Sequence, residues 1–193
     1  MTTSRVTLVS PATSESLRSA RFDDDGPLDE GGAARARAAA GTLRAAGRVL
    51  VSPTERCRRT ASALGLDAVG ALELAALGMG RWRGRTLDEV AAAEPAAVAA
   101  WLADPGAAPH GGESVRALCA RARRWLESVR EAGGGHLAVV EPEFVRAAAV
   151  VALGAPEEAF WRLDVPPLTA TALSGRAGRW NLLLGRPLGT PDV

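Results

Sequence analysis

Five short apolar runs punctuate the chain, at residues 6–9, 48–51, 136–140, 169–173 and 179–183, and Ala- and Arg-rich stretches of helical period separate them. Strands that alternate with helices predict an α/β layered domain. The first long helix is expected to open near Leu28-Asp29-Glu30 and run to about Ala46, with Asp29 as its cap and Gly47 as its stop. Ser52-Pro53 predicts the next helix start, serine as cap and proline in the first turn. A further helix should begin at Glu113-Ser114, carry Val115, Leu118, Ala122, Trp125, Leu126 and Val129 on one apolar face, and end at Gly133-Gly134-Gly135. Residues 14–26, with the acidic run Asp23, Asp24 and Asp25, and residues 105–112 read as loops over the mouth of the sheet.

At 193 residues and 47% hydrophobic content the chain fits a single domain, residues 1–193, with a sizeable core. All 23 basic residues are arginine, which points to coding bias in a GC-rich, bacterial genome. The formal net charge is +1 with the two signs interspersed, so no extended basic surface for nucleic acid is expected. Cys57 and Cys119 lack metal-ligand spacing, no signal peptide precedes the first strand, and no apolar run is long enough to span a membrane. These features predict a soluble cytoplasmic protein without a cofactor.

Several motifs then resemble one family in order along the chain. Residues 5–14, Arg-Val-Thr-Leu-Val-Ser-Pro-Ala-Thr-Ser, resemble the first strand of the histidine phosphatase (phosphoglycerate mutase-like) superfamily, where Arg-His-Gly supplies the nucleophilic histidine. Pro27-Leu28-Asp29-Glu30-Gly31-Gly32 is similar to the opening of that family's first helix, and residues 51–61 to its Ser-Pro-x-x-Arg-x-x-x-Thr-Ala signature. Gly80-Arg81-Trp82-Arg83-Gly84 resembles the Gly-x-Trp-Glu-Gly turn, and Gly111-Gly112-Glu113-Ser114 the Gly-Glu-Ser element. The resemblance implies a three-layer α/β/α sandwich with a mostly parallel central sheet and a pocket at the C-terminal strand ends. It also implies that Arg56 is the phosphate-binding arginine.

At the other positions the family's groups are missing. The resemblance puts Ser10 at the arginine position, Pro11 at the nucleophile, Ala76 at the general acid and Pro142 at the second histidine. Glu73 replaces the acid only through a shifted loop. Phosphohistidine chemistry needs an imidazole to attack phosphorus and cations to hold its oxygens, and proline supplies neither. Ordinary phosphatase or mutase turnover is therefore not expected.

The candidate pocket comprises Ser10, Pro11, Thr13, Arg56, Trp82, His110, Glu113, Glu141, Pro142 and Glu143. If Pro142 opens a helix, Glu141 and Glu143 flank its positive end. Either one pairs with Arg56 as a built-in stand-in for phosphate, or both face solvent as ordinary helix-start residues. A metal reading would recruit His110, Glu113 or the Asp23 to Asp25 run, although no metal motif is present. His110 is a candidate acid or base at the rim or an exposed loop histidine, and His136 reads as structural. Ser10, Thr13 and Ser14 offer hydroxyls to a neutral ligand. Arg18 and Arg21 either reach an anionic ligand or stay solvated. Trp82 is expected to line the pocket, with Trp101 and Trp125 in the core and Trp161 and Trp180 packed on the sheet and its final strands.

Two functions fit: a pseudophosphatase that binds a small molecule or a protein partner, or an enzyme with the pocket rebuilt for acid/base chemistry on a non-phosphorylated metabolite. Neither needs nucleic acid or a membrane, and a homodimer is left open.

Overall fold

A computed structural model describes residues 3–22, 24–176 and 178–189. Six strands form one sheet: β1 (Ser4–Val9), β2 (Arg48–Val51), β3 (Val69–Gly70), β4 (Gly135–Val139), β5 (Thr169–Arg176) and β6 (Arg179–Pro187). Their order is β3-β2-β4-β1-β5-β6, with β3, β2, β4 and β1 mutually parallel and β5 antiparallel to both its neighbours. The helices are α1 (Glu15–Arg18), α2 (Glu30–Ala38), α3 (Glu55–Ala63), α4 (Leu87–Ala93), α5 (Pro95–Ala103), α6 (Val115–Ala132) and α7 (Pro142–Leu153). Short 3-10 turns lie at Leu72–Leu74, Gly80–Trp82 and Glu157–Arg162. The chain thus forms the expected three-layer α/β/α arrangement.

The central strands are apolar on both faces because both faces are covered. Val6, Leu8, Ala138 and Val140 meet α6 and α7 in the larger core, while Val9, Leu137, Val139 and Val51 meet Cys57, Ala61 and Leu64 of the α3 segment. Along α6 the buried residues Val115, Leu118, Cys119, Ala122, Trp125, Leu126 and Val129 recur at intervals of three and four, as the sequence predicts. Ser114 caps its start through the Ala117 amide, and Gly133 ends it.

Two helix boundaries depart from expectation. Helix α2 is capped by Asp29 but stops at Ala38, well short of Ala46, and Gly41 adopts the left-handed φ of +77° where the chain turns. The alanines beyond it favour helix, yet the chain must turn there towards β2. Helix α3 is capped by Thr54 rather than Ser52, its hydroxyl accepting from the Cys57 amide. The same hydroxyl also donates to Glu141, so the cap is selected by a contact distant in sequence.

Candidate functional site

Strands β1, β2 and β4 all end at one edge of the sheet, and the segments that follow them define the site. Proline at the first position of α7 needs no backbone donor, which lets β4 pass through Val140 and Glu141 directly into the helix. This sharp exit holds Glu141 over the start of α3, where Arg56 occupies the first turn. The guanidinium and the carboxylate meet twice, Arg56 Nη2 donating to Glu141 Oε2 and Nε to Oε1 at 3.4 Å. Both are largely withdrawn from water, with side-chain exposures of 15% and 3%.

Glu141 is fully engaged. Its Oε1 also accepts from Thr54 Oγ1 at 2.8 Å and from Cys57 Sγ at 3.5 Å. Burial opposes the charge on Arg56, but the Glu141 carboxylate outweighs it and holds the guanidinium above its ordinary value. Burial, followed by the same carboxylate, holds the Cys57 thiol well up, so it does not offer a thiolate nucleophile.

Beside this pair opens a cavity of about 240 Å³. Arg56, Glu141, Pro142 and Glu143 line it, together with Ala76, Ser14, Arg21 and Asp24 from the residues the sequence singled out. Phe22, Leu77, Met79, Arg146 and Val165, among others, were not singled out by sequence, and Trp101 and Trp161 were expected in the core and on the sheet rather than in this wall. Arg146 had a readable signal, since it follows Glu143 by three residues and shares its helix face. Trp101 sits near the end of α5, where periodicity alone gave a core reading.

Other candidates lie outside the cavity. Ser10 is fully buried, its hydroxyl donating to the Pro166 carbonyl at 2.6 Å and accepting from the Thr169 amide at 3.0 Å. Pro11 is buried at the end of β1, its carbonyl accepting from Leu168. Thr13 faces Arg35 through its hydroxyl, 2.9 Å away. Trp82, expected in the pocket wall, is completely buried behind it and stacks on Phe22 at 5.6 Å. His110 is not at a rim: it is buried 5.1 Å from Trp82, its Nδ1 accepting from the Gly112 amide. Burial, with help from Arg81, lowers its pKa, so the ring is neutral. The close fit depends on glycine, because a Cβ on Gly112 would lie 1.9 Å from the Gly78 carbonyl oxygen.

Glu113 turns away to pair with Arg121 at 2.6 Å, and Arg121 in turn holds the carbonyls of Glu73, Ala75 and Ala76. That clamp fixes Ala76 at the cavity wall and leaves Glu73 exposed outside it. His136 lies at the far end of β4 from Glu141, with Nε2 3.0 Å from the Gly133 carbonyl oxygen. The acidic loop is used structurally: Asp24 accepts from Ser16 and the Gly26 amide, and Asp25 from the Glu55 amide. Asp23 is outside the described residues. Arg18 pairs with Glu15 on the surface. Trp125 is in the core and Trp180 packs on Gly175 across β5 and β6, whereas Trp161 reaches the cavity. Among the described residues no group of three or more His, Cys, Asp or Glu gathers to hold a metal, and no helix is long and apolar enough to cross a membrane.

The family model of the histidine phosphatase superfamily (branch 1) matches residues 13–186. The match begins just beyond Ser10, Pro11 and Ala12. No curated protein matches the chain in sequence. Among solved structures, a protein described as mycobacterial hydrolase 1 is 26% identical with a TM-score of 0.85, over 97% of this chain and 100% of that one. A mycobacterial glucosyl-3-phosphoglycerate phosphatase complexed with VO3 is 27% identical with a TM-score of 0.83, over 95% and 99% of the two chains. A phosphoserine phosphatase variant from Entamoeba histolytica, in complex with phosphoserine, shares the fold alone, at 14% identity and a TM-score of 0.85 over 96% and 98%.

Proposed function

Because the chain belongs to the histidine phosphatase superfamily, we propose that it is a member without phosphohistidine chemistry, a pseudophosphatase that binds a small molecule or a protein partner through its altered pocket. The observation that carries this reading is the internal pairing of Arg56 with Glu141. An arginine positioned for a substrate oxyanion is already neutralised by a carboxylate of the same chain. Among the described residues, no histidine lines the wall around it. The sequence contains two histidines, and His110 and His136 are both buried elsewhere. Loss of a catalytic nucleophile alone commonly lowers turnover by about 10⁴ to 10⁶. In this reading residues 1–193 act as one domain in the bacterial cytoplasm.

The test is hydrolysis of para-nitrophenyl phosphate alongside thermal melts in phosphate and vanadate. Turnover indistinguishable from buffer, with no oxyanion-dependent shift in melting temperature, is expected. Hydrolysis that depends on Arg56, or clear stabilisation by vanadate, would refute the reading. One observation favours the competing function, acid/base chemistry on a non-phosphorylated metabolite. Glu143 lines the cavity, and burial followed by the nearby Glu141 charge raises its pKa, as in catalytic carboxyls.

A further inference from the structure

The ionisable side chains in the cavity wall differ in how far their charges are already used. Arg56 and Glu141 satisfy each other. Asp24 accepts from Ser16 Oγ at 2.6 Å and from the Gly26 amide at 2.9 Å, and Arg21 donates to the Gly84 carbonyl. Arg146 donates through Nε to the Leu163 carbonyl at 2.7 Å, and its guanidinium carbon sits 5.8 Å from the centre of the Phe160 ring. Glu143 differs from these in its contacts, although the charges of Arg56 and Arg146 both favour its ionised form. Among the described residues, no other residue hydrogen-bonds to its half-buried carboxylate, and none forms an ion pair with it. An unpaired carboxylate beside apolar walls is costly, and an incoming cation relieves that cost.

The aromatic part of the same lining suits the body of such a cation. Phe22 and Trp101 meet edge to face at 5.8 Å, and Trp101 meets Trp161 at 4.4 Å, so three aromatic side chains form one continuous surface. Leu77, Met79 and Val165 extend it. Aromatic walls with one well-placed carboxylate recognise amines through both charge and ring faces. Arg56, the wall arginine nearest the end of β4, is already paired with Glu141 and does not offer its charge to an oxyanion.

We propose that the cavity receives an organic cation, an amine on an apolar or aromatic body, with its ammonium on Glu143 and its body against Phe22, Trp101 and Trp161. The proposal rests on the non-catalytic reading above and names the ligand class of that site.

The test is calorimetric titration of the full chain with three probes of similar size: phenethylamine, phenethyl alcohol and phenylpropionate, near neutral pH. The amine is expected to bind at least about tenfold more tightly than either of the others, the scale of a lost charge-assisted hydrogen bond. Glu143→Gln should abolish the preference, and Glu143→Asp should retain part of it, while both variants unfold in a single cooperative melt no lower than about 2 °C below the parent protein. Binding of the alcohol or carboxylate equal to or tighter than the amine, no binding of any probe, or an amine preference that survives Glu143→Gln would overturn the proposal. Phosphate titration and para-nitrophenyl phosphate hydrolysis run in parallel. If those are silent while the amine preference fails, the ligand class alone is wrong; if phosphate binds and the ester is cleaved, the non-catalytic reading falls instead.

Discussion

Replacing Glu141 by alanine should convert a self-satisfied pocket into an anion-dependent one. The substitution removes both contacts to Arg56 and the acceptor of the Thr54 hydroxyl. It leaves a guanidinium that is 15% exposed without its counter-ion. Breaking one side of a buried ion pair costs about 3–5 kcal/mol. For a chain of this size each kcal/mol moves the melting temperature by about 2–4 °C, so Glu141→Ala should melt roughly 6–20 °C below the parent. Phosphate should then return part of the loss by occupying Arg56. At about 100 times its dissociation constant a ligand contributes roughly 2.7 kcal/mol, or roughly 5–11 °C on the same scale. The assay is differential scanning calorimetry of both proteins across a phosphate titration. Glu141→Gln, which keeps an acceptor for Thr54, should fall between them and guards against a variant that does not fold. If Glu141→Ala melts within about 2 °C of the parent, or if phosphate stabilises the parent and not the variant, the pairing does not do what its geometry indicates.

Two further outcomes follow from other parts of the molecule. Gly112→Ala should destabilise by about 1–3 kcal/mol or more, measured by urea unfolding, because its methyl group collides with backbone rather than with a flexible side chain. Glu143 has a raised pKa through burial and then Glu141, so its contribution is fully present below its ordinary 4.5 and is lost as pH rises through its folded value. Glu143→Gln removes that loss: the melting temperature of the variant minus that of the parent should grow as pH increases above 4.5, and a flat difference would contradict the assignment.

The sheet was legible because its inner strands are buried on both faces and therefore read as unbroken apolar runs, as at Leu137, Ala138, Val139 and Val140. Strand β3 was not, since two exposed residues, one of them glycine, leave no such pattern. In the site, the pairing of Arg56 with a carboxylate was one of two readings open from sequence, and backbone geometry decided in favour of Glu141 because Pro142 starts α7 immediately after it. The aromatic assignments were harder. Trp82 and Trp101 are both indoles on short elements, and it is Trp101 that faces the cavity while Trp82 is buried behind it. His110 illustrates the same difficulty: flanking proline and glycines look like an exposed loop, yet here glycine permits the close approach that buries the imidazole.

The carboxylate on Arg56 is tethered by the fold, so its local concentration does not fall on dilution and does not depend on what the surroundings contain. A free oxyanion must displace a group whose effective concentration is on the order of millimolar or higher. Free phosphate and phosphate esters below that concentration therefore compete poorly for Arg56. A cavity beside such a tethered pair can respond to a scarce ligand of another chemical class without being occupied by abundant ones.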